Sequence, residues 1–325
     1  VVAYKATCTW PSASSAALLR YDVPTGRTTV VTTKTAADSW PQLSADGWIM
    51  AFEELSDFFG SIILAKDFAT QQTWLINHGT MGTMPGNRPA HTPVLSANGR
   101  SVAFLTAATD ILNASGNGHW QLFLRNLAPD RTLVVSLTPE GQPSAGNIEL
   151  TLPALSADGQ RVAFESEADD LTPSDFNLAN DVFVRHIEAD VTELVSEGHP
   201  NLPAITASGC SGVVPHAVST DARMVLLTSR DSNLTSGDTN GMPDGFVRDR
   251  LTGSNHWLRV AGLTPGVPSD GELAAVLSTN GRYVAFVQQE ENGSYVWRRD
   301  LWTGTDARVS VSAEGLPLRG ERPTL

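Results

Sequence analysis

A five-residue turn motif recurs five times along the chain, and this repeat limits the possible folds more than any other feature of the sequence. The motif reads Leu-Ser-Ala-Asp-Gly in its clearest copies, and one to three of its residues are replaced in the others. The copies lie 52 to 63 residues apart, at 43–47, 95–99, 155–159, 218–222 and 277–281. Self-similarity at such a period is typical of architectures built from one small supersecondary unit repeated side by side.

An apolar strand with alternating pattern follows each turn, at 49–52, 101–104, 161–164, 224–227 and 283–286. Asp-Gly or Asn-Gly between such runs predicts a β-hairpin with a type I′ turn, in which both central residues have positive φ. Ala222 stands where the other copies have glycine. This substitution predicts either a different turn type or backbone strain at that position.

A second strand pair follows in each unit. It is clearest at 182–185 with 191–195, and equivalents occur at 122–125 with 132–136, 246–249 with 256–260, and 295–300 with 307–311. Four strands per unit at this period predict the blades of a β-propeller.

The two ends of the chain complement each other in this repeat. The start, Val1 to Tyr4, matches the second strand of a unit, and the end, Arg322 to Leu325, matches the first strand. We therefore expect an all-β, single-domain, six-bladed β-propeller, whose ring is closed by the C-terminal strand completing the blade begun at the N-terminus. The predicted blades are 1–35 with 321–325, 39–79, 90–139, 150–197, 213–261 and 272–313.

These motifs resemble the WD40-like (PD40) repeat of TolB-type β-propellers. The resemblance rests on Ser-Ala-Asp-Gly-x-x-Val-Ala-Phe and on Asp-Val-Phe-Val-Arg, here at Asp181 to Arg185, and it covers nearly the whole chain. Proteins with this repeat include partner-binding modules, domains attached to proteases, and glycan-cleaving enzymes, so the resemblance implies an architecture and leaves the activity open. Together with the low lysine content, it implies a periplasmic or extracellular location.

Composition excludes several classes of partner. With 41% hydrophobic and 18% charged residues the chain can bury a core, and its net charge of −13 repels nucleic acid and anionic lipid. No stretch approaches the roughly 20 apolar residues of a membrane span, so membrane insertion is not expected. The two cysteines, Cys8 and Cys210, lack the close spacing of a metal or redox site, and they form either a long-range disulfide or two separate thiols.

Long Gly- and Pro-rich connections near 79–90, 141–150, 197–213 and 262–272 predict a loop-rich face around the mouth of the channel. The residues expected there as ligand contacts are Trp40, His91, Trp120, His216, Glu321 and Arg322. A planar cation, stacking aromatic rings and titratable imidazoles suit an anionic or sugar-like ligand. The alternative is that these side chains only cap the channel.

Two loops share the spacing Asp-x-Asn-x-x-x-Asp: Asp175, Asn177 and Asp181 in one, and Asp238, Asn240 and Asp244 in the other. Oxygen ligands crowded into a short loop suit a structural Ca²⁺ ion. Neither loop has the full length or the final Glu of an EF-hand, and Asp and Asn also stabilise turns by bonding their own backbone. Both interpretations stay open at this point.

No motif of a serine hydrolase, zinc protease or phosphate-binding loop occurs in the sequence. The first hypothesis is a non-catalytic recognition or scaffold module that binds a protein partner or a glycan at its loop-rich face. Because Val1 lies inside a hairpin, flanking residues are expected to be missing, and the module could be one subunit of a larger assembly. The alternative is a glycan-active lyase or hydrolase that uses His91, His216 and Glu321 as acid and base at the channel mouth.

Overall fold

The computed structural model describes residues 2–10, 13–35, 41–112, 117–149, 151–175, 179–198, 210–238, 243–259, 274–290 and 292–320, with all side chains in these ranges except those of 4–16 and 215–216. The chain forms two compact units, Val1–Val162 and Ala163–Leu325.

Unit 1 contains three antiparallel sheets. The first has the order β1-β2-β3, with β1 Val2–Trp10, β2 Ala13–Asp22 and β3 Arg27–Thr32. The second has the order β4-β5-β6-β7, with β4 Gln42–Leu43, β5 Ile49–Ser56, β6 Gly60–Asp67 and β7 Thr73–Leu75. The third joins β8 Ala90–Leu95, β9 Ser101–Thr106, β10 Gln121–Leu127 and β11 Asp130–Val134 in sequence order.

The fourth sheet has the order β12-β13-β14-β15, with β12 Ala154–Leu155, β13 Arg161–Ser166, β14 Asp181–His186 and β15 Val191–Leu194, and the boundary between the units falls within β13. Unit 2 continues with a fifth sheet of β16 Ser211–Val218, β17 Met224–Ser229, β18 Asp244–Asp249 and β19 Ser254–Trp257. Its last sheet joins β20 Ala275–Leu277, β21 Tyr283–Glu290, β22 Gly293–Asp300 and β23 Thr305–Arg308.

The prediction of an all-β chain is confirmed, since the described residues contain strands and turns and no helix. Within the same residues the sheets number six, five with four strands and one with three. The C-terminal segment 321–325, which was expected to add a strand to the first sheet, lies outside the described residues. Closure of a ring and the predicted blade boundaries therefore stay predictions.

The second and third strands of the four-stranded sheets together provide most of the buried apolar side chains. In β9 every residue from Ser101 to Thr106 is buried, because neighbouring layers cover both faces of the strand. A phenylalanine recurs at one position of these strands and packs on the ring of the next strand, with centroids 5.6 Å apart for Phe104 and Phe123 and 5.8 Å apart for Phe164 and Phe183. The repeated Val-Ala-Phe motif is thus a packing motif.

The repeated turn differs from the type I′ turn expected from Asp-Gly and Asn-Gly. In the first copy only Gly47 has a positive φ, of 73°. Asp46 instead accepts bonds through one carboxylate oxygen from the Ser44 hydroxyl at 2.6 Å and from the Trp48 amide at 3.0 Å, and the serine oxygen accepts from the Ile49 amide at 3.0 Å. The serine and the Asp or Asn therefore set the turn by side-chain hydrogen bonds, as in an Asx turn.

The copy at 218–222 keeps this hydrogen-bond pattern although it lacks the glycine. Ser219 donates to Asp221 at 2.6 Å, and the Met224 amide donates to the Ser219 hydroxyl at 3.0 Å. Ala222 has a φ of 51°, a conformation that residues with a Cβ adopt only at a cost. Of the two alternatives, backbone strain is therefore correct and a different turn type is not.

Successive turns are joined by backbone hydrogen bonds, which link neighbouring sheets within each unit. The amides of Ala45 and Asn98 donate to the carbonyls of Ala97 and Ala157, at 2.8 and 3.0 Å, and the amide of Thr220 donates to the carbonyl of Thr279 at 2.7 Å. The repeated motif thus builds both the hairpins and the contacts between sheets.

A second repeated device follows the outermost strand, where the sequence predicted only loops. Isolated bridges pair His78 with Pro85, Leu137 with Pro143, and Val311 with Pro317. Each encloses a glycine with positive φ, namely Gly82, Gly141 and Gly315. The hairpins at His78 and Leu137 fold the connecting chain back before it begins the next sheet, and the one at Val311 follows the last described strand.

Candidate functional site

His91 and Glu53 form a hydrogen-bonded pair in unit 1. His91 lies near the start of β8 in the third sheet, and Glu53 lies in β5 of the second sheet. The Nδ1 atom of the imidazole is 3.0 Å from Oε1 of the carboxylate. The glutamate side chain is 7% exposed and the histidine side chain 35% exposed, so a buried carboxylate holds a ring that solvent still reaches.

The backbone beside His91 is strained. A β-bulge interrupts the pairing of β8 with β9 between His91 and Val94. Within it Thr92 has a φ of 53°, an outlier for a β-branched residue, and its buried hydroxyl has no hydrogen-bond partner in the part of the chain that the structure describes. Bulges of this kind re-aim a side chain, and strained residues are concentrated at functional sites. The bulge is therefore evidence that the position of His91 matters.

Trp120 is the second predicted contact residue that the structure places at this site. Its ring centroid is 5.6 Å from that of His91, with the two planes tilted by 49°. The amide of Trp120 donates to the Asn147 side chain at 2.9 Å, and its carbonyl accepts from the Ile148 amide at 3.0 Å. The connecting segment at Asn147 and Ile148 thus fixes the backbone of Trp120.

The geometry defines what the imidazole can do. A carboxylate oxygen only accepts hydrogen bonds, so Nδ1 of His91 carries a proton and Nε2 is the acceptor in the neutral ring. No described residue bonds Nε2. The site therefore offers an oriented ring nitrogen next to an indole face, an arrangement that suits a polar group of a ligand lying on an aromatic surface.

The end of β5, the turn after it and the loop after β7 carry exposed apolar side chains, namely Leu55, Phe58, Met81 and Met84. Phe58 and Met81 are 90% and 85% exposed. The turn after β5 and the loop after β7 leave the second sheet at the same end, because these strands run in the same direction. A Cβ on Gly60 would lie 3.0 Å from Pro89, so the turn and the loop adjoin. We call these segments, with His91 and Trp120, the loop face of unit 1.

The other predicted ligand contacts cannot be placed at this site. Trp40, Glu321 and Arg322 lie outside the described residues. His216 belongs to β16 in unit 2, and its side chain lies outside the described part. Of the six predicted residues, His91 and Trp120 are brought together.

Glu53 was missed by sequence reasoning, although a signal for it exists. It ends the run Ala51-Phe52-Glu53, and the same run recurs as Ala163-Phe164-Glu165. Glu165 is also buried, and its Oε1 atom accepts a hydrogen bond from the Val213 amide of the next sheet. A glutamate that closes an apolar strand is thus a link to the following sheet in both units.

The carboxylates of the two predicted calcium loops are buried. Asp175 and Asp181 are 4% and 3% exposed, and Asp238 and Asp244 are 5% and 3% exposed. Their central ligands, Asn177 and Asn240, lie outside the described residues. Among the residues described, no group of three or more His, Cys, Asp or Glu side chains is arranged to hold a metal ion. Calcium binding by these loops stays a prediction.

Cys210 is an exposed, free thiol, in agreement with the alternative of two separate thiols, whereas the side chain of Cys8 lies outside the described part. The described chain also has no helix of the length and hydrophobicity needed to cross a membrane.

Comparison with known proteins shows the fold and not the activity. No family model and no curated protein matches the chain. Among solved structures, the acylaminoacyl peptidase of Pyrococcus horikoshii is similar over 95% of this chain and 44% of its own, with 13% identity and a TM-score of 0.53. TolB from Acinetobacter baumannii is similar over 94% of this chain and 61% of its own, with 15% identity and a TM-score of 0.48.

Dipeptidyl peptidase 4 of Porphyromonas gingivalis is similar over 93% of this chain and 49% of its own, with 14% identity and a TM-score of 0.45. The chain thus spans less than two thirds of the length of each of these structures. At such identities a likeness concerns architecture alone, and the likeness at a TM-score of 0.53 supports a β-propeller fold.

Proposed function

We propose that the chain is a six-bladed β-propeller, closed by pairing of 321–325 beside the N-terminal strand, and that it acts as a non-catalytic recognition module in the periplasm or outside the cell. The partner is a protein, bound at the loop face of unit 1. The six sheets of the described residues and the likeness to solved propeller structures support the architecture.

The observation that carries the proposal is the exposure of Phe58 and Met81 on the loop face that also includes the His91 and Trp120 rings. Apolar and aromatic side chains clustered on a surface mark protein-binding sites, and Trp, Met and Phe are enriched in the centres of interfaces. The buried Glu53 holds His91 in one orientation, which reduces the entropy lost on binding. The net charge of −13 favours a partner with a basic surface.

Co-purification from the native source tests this proposal. We expect a bound protein to be retained by the unchanged chain and lost from Phe58→Asp and Trp120→Ala. A matched control is Trp302→Ala, which removes a 67% exposed aromatic ring from a turn of unit 2 and leaves the loop face intact. Equal retention by all variants would place the partner elsewhere and contradict the proposal.

A glycan-active lyase or hydrolase is the second candidate function. The observation that favours it is the Nδ1 to Oε1 bond of 3.0 Å between His91 and Glu53, because a carboxylate-oriented imidazole with an accessible Nε2 is a common general base. In this case purified chain depolymerises an acidic polysaccharide, and His91→Gln lowers the rate at least a hundredfold. If the chain is only a recognition module, neither the unchanged chain nor His91→Gln depolymerises the polysaccharide.

A further inference from the structure

Four residues of unit 2 with oxygen-bearing side chains lie on segments that adjoin between the fourth and fifth sheets. Asn180 and Asp181 stand at the start of β14, and Asp231 and Asn233 follow the end of β17. They are remote in sequence from the loop face of unit 1, and the function proposed above does not use them.

A chain of hydrogen bonds places the two pairs next to each other. The carbonyl of Asn180 accepts from the Ser211 amide at 2.7 Å, and the hydroxyl of Ser211 donates to that of Ser229 at 2.9 Å. The amide of Asp231 donates to the Ser229 hydroxyl at 3.0 Å. Asn180 and Asp231 thus lie on either side of one serine pair.

The amide side chain of Asn233 lies on the Asp181 side of this group. The backbone N–H of Asn233 donates to Oδ1 of Asp231 at 3.3 Å. The Oδ1 atom of Asn233 would be 2.8 Å from a Cβ placed on Gly198. Gly198 comes two residues after Ser196, whose hydroxyl donates to Oδ1 of Asp181. Gly198 therefore allows the Asn233 amide group to pack closely against the segment that carries the serine bonded to Asp181.

Two buried amide oxygens of this group lack a donor among the described residues. They are the Oδ1 atoms of Asn180 and Asn233, and Asn233 is 8% exposed. Within the described chain, Asp231 forms no ion pair with a basic side chain. Burial raises the pKa of Asp231, and the nearby charge of Asp181 raises it further. Buried amide oxygens without donors are costly unless a cation satisfies them.

We propose that Asp181, Asp231, Asn180 and Asn233 bind one divalent cation of the Ca²⁺ type. Two carboxylates balance the charge of the ion, and two amide oxygens with water complete the six to eight oxygen ligands that Ca²⁺ takes. Zinc prefers nitrogen and sulfur ligands, and Mg²⁺ requires a stricter octahedron. The bound ion connects the fourth and fifth sheets, so its effect is on stability.

Thermal unfolding of the full chain, stripped with EDTA and measured with and without 1 mM CaCl₂, tests the proposal. We expect Ca²⁺ to raise the Tm by about 3–6 °C, with one ion bound per chain in a calorimetric titration. Asp231→Asn abolishes the rise. The matched control, Asp169→Asn, removes an exposed carboxylate of the same unit, and we expect this variant to keep the rise in Tm.

The stability of Asp231→Asn in EDTA, without Ca²⁺, makes the comparison with the unchanged chain specific. Because Asp231→Asn removes the repulsion between two carboxylates, we expect it to be at least as stable as the unchanged chain without Ca²⁺ and less stable with it. This reversal distinguishes loss of a ligand from simple damage to the fold. Absence of a Ca²⁺ effect on the unchanged chain, or an equal effect on Asp231→Asn, would overturn the proposal. Loss of the effect in Asp238→Asn alone would assign the ion to the loop 238–244 and also overturn it.

Discussion

Gly159 lies so close to Ser101 that a Cβ on the glycine would be 2.6 Å from the serine Oγ and 2.8 Å from its Cβ. The glycine belongs to the repeated turn between β12 and β13 and the serine to β9 of the third sheet, so within unit 1 the contact sets how closely this turn packs on the third sheet. The φ of Gly159 is 73°. Two independent requirements thus select glycine at this position.

We expect Gly159→Ala to destabilise the fold by about 3 kcal/mol, because the left-handed backbone and the overlap with Ser101 each contribute. The control is Gly141→Ala, whose φ of 76° is similar but whose Cβ would meet no atom within 4 Å. It should cost about 1 kcal/mol. Equal shifts of the guanidinium midpoint in the two variants would show that packing between sheets adds nothing.

Thr92 combines a strained backbone with a buried hydroxyl that has no partner. Thr92→Gly relieves both, and we expect it to stabilise the fold by about 1 kcal/mol after the extra entropy of glycine is included. Thr92→Ala removes the hydroxyl and keeps the strain, so its gain should be smaller. Chemical denaturation measures both variants. A loss of stability in Thr92→Gly would mean that the φ of 53° is not strained in its context.

Asp249 gives a pH-dependent contribution to stability. Bonds from Arg223 at 2.9 and 2.6 Å, together with the Leu251 amide, lower its pKa from 3.8 to about 2. A carboxyl group whose pKa is lower in the folded chain stabilises it above the unfolded pKa, and this stability is lost as the pH falls through the folded value. We expect Asp249→Asn to cost about 1–2 kcal/mol at pH 7.

Unfolding free energies of the unchanged chain and Asp249→Asn, measured from pH 2 to pH 6, check this expectation. The difference between the two proteins should be full above about pH 4 and decrease towards pH 2. A constant difference across this range would show that the carboxylate charge is not its source.

His256 contributes a second pH dependence of stability, closer to neutral pH than that of Asp249. Burial lowers the pKa of this imidazole below 6.5, with a further contribution from Arg299. Since the unfolded chain binds a proton more readily, stability falls as the pH decreases below 6.5 and levels off below the folded pKa. We expect His256→Gln to flatten the stability profile between pH 7 and pH 5. An unchanged profile would assign the dependence to other histidines.

The hairpins and the all-β class could be predicted from sequence, because the Ser-Ala-Asp-Gly turn and the alternation after it act over a few residues. The turn type was predicted wrongly for an equally local reason. The association of Asp-Gly with the type I′ turn rests on the backbone conformations of these two residues. Here the hydrogen bond from the Ser44 hydroxyl to Asp46 sets the turn geometry. The expected strain at Ala222 followed from the copies themselves, since glycine stands at the same position in all the others.

What the sequence determines alone is the repeating unit, since its strands and turns depend on interactions between residues close along the chain. The partners within the sites were decided by tertiary structure: Glu53 meets His91 across 38 residues, and Asp231 lies near Asp181 of the preceding sheet. Such pairs depend on how two sheets pack against each other. The residues that sheet packing brings together are far apart in sequence and share no local sequence pattern.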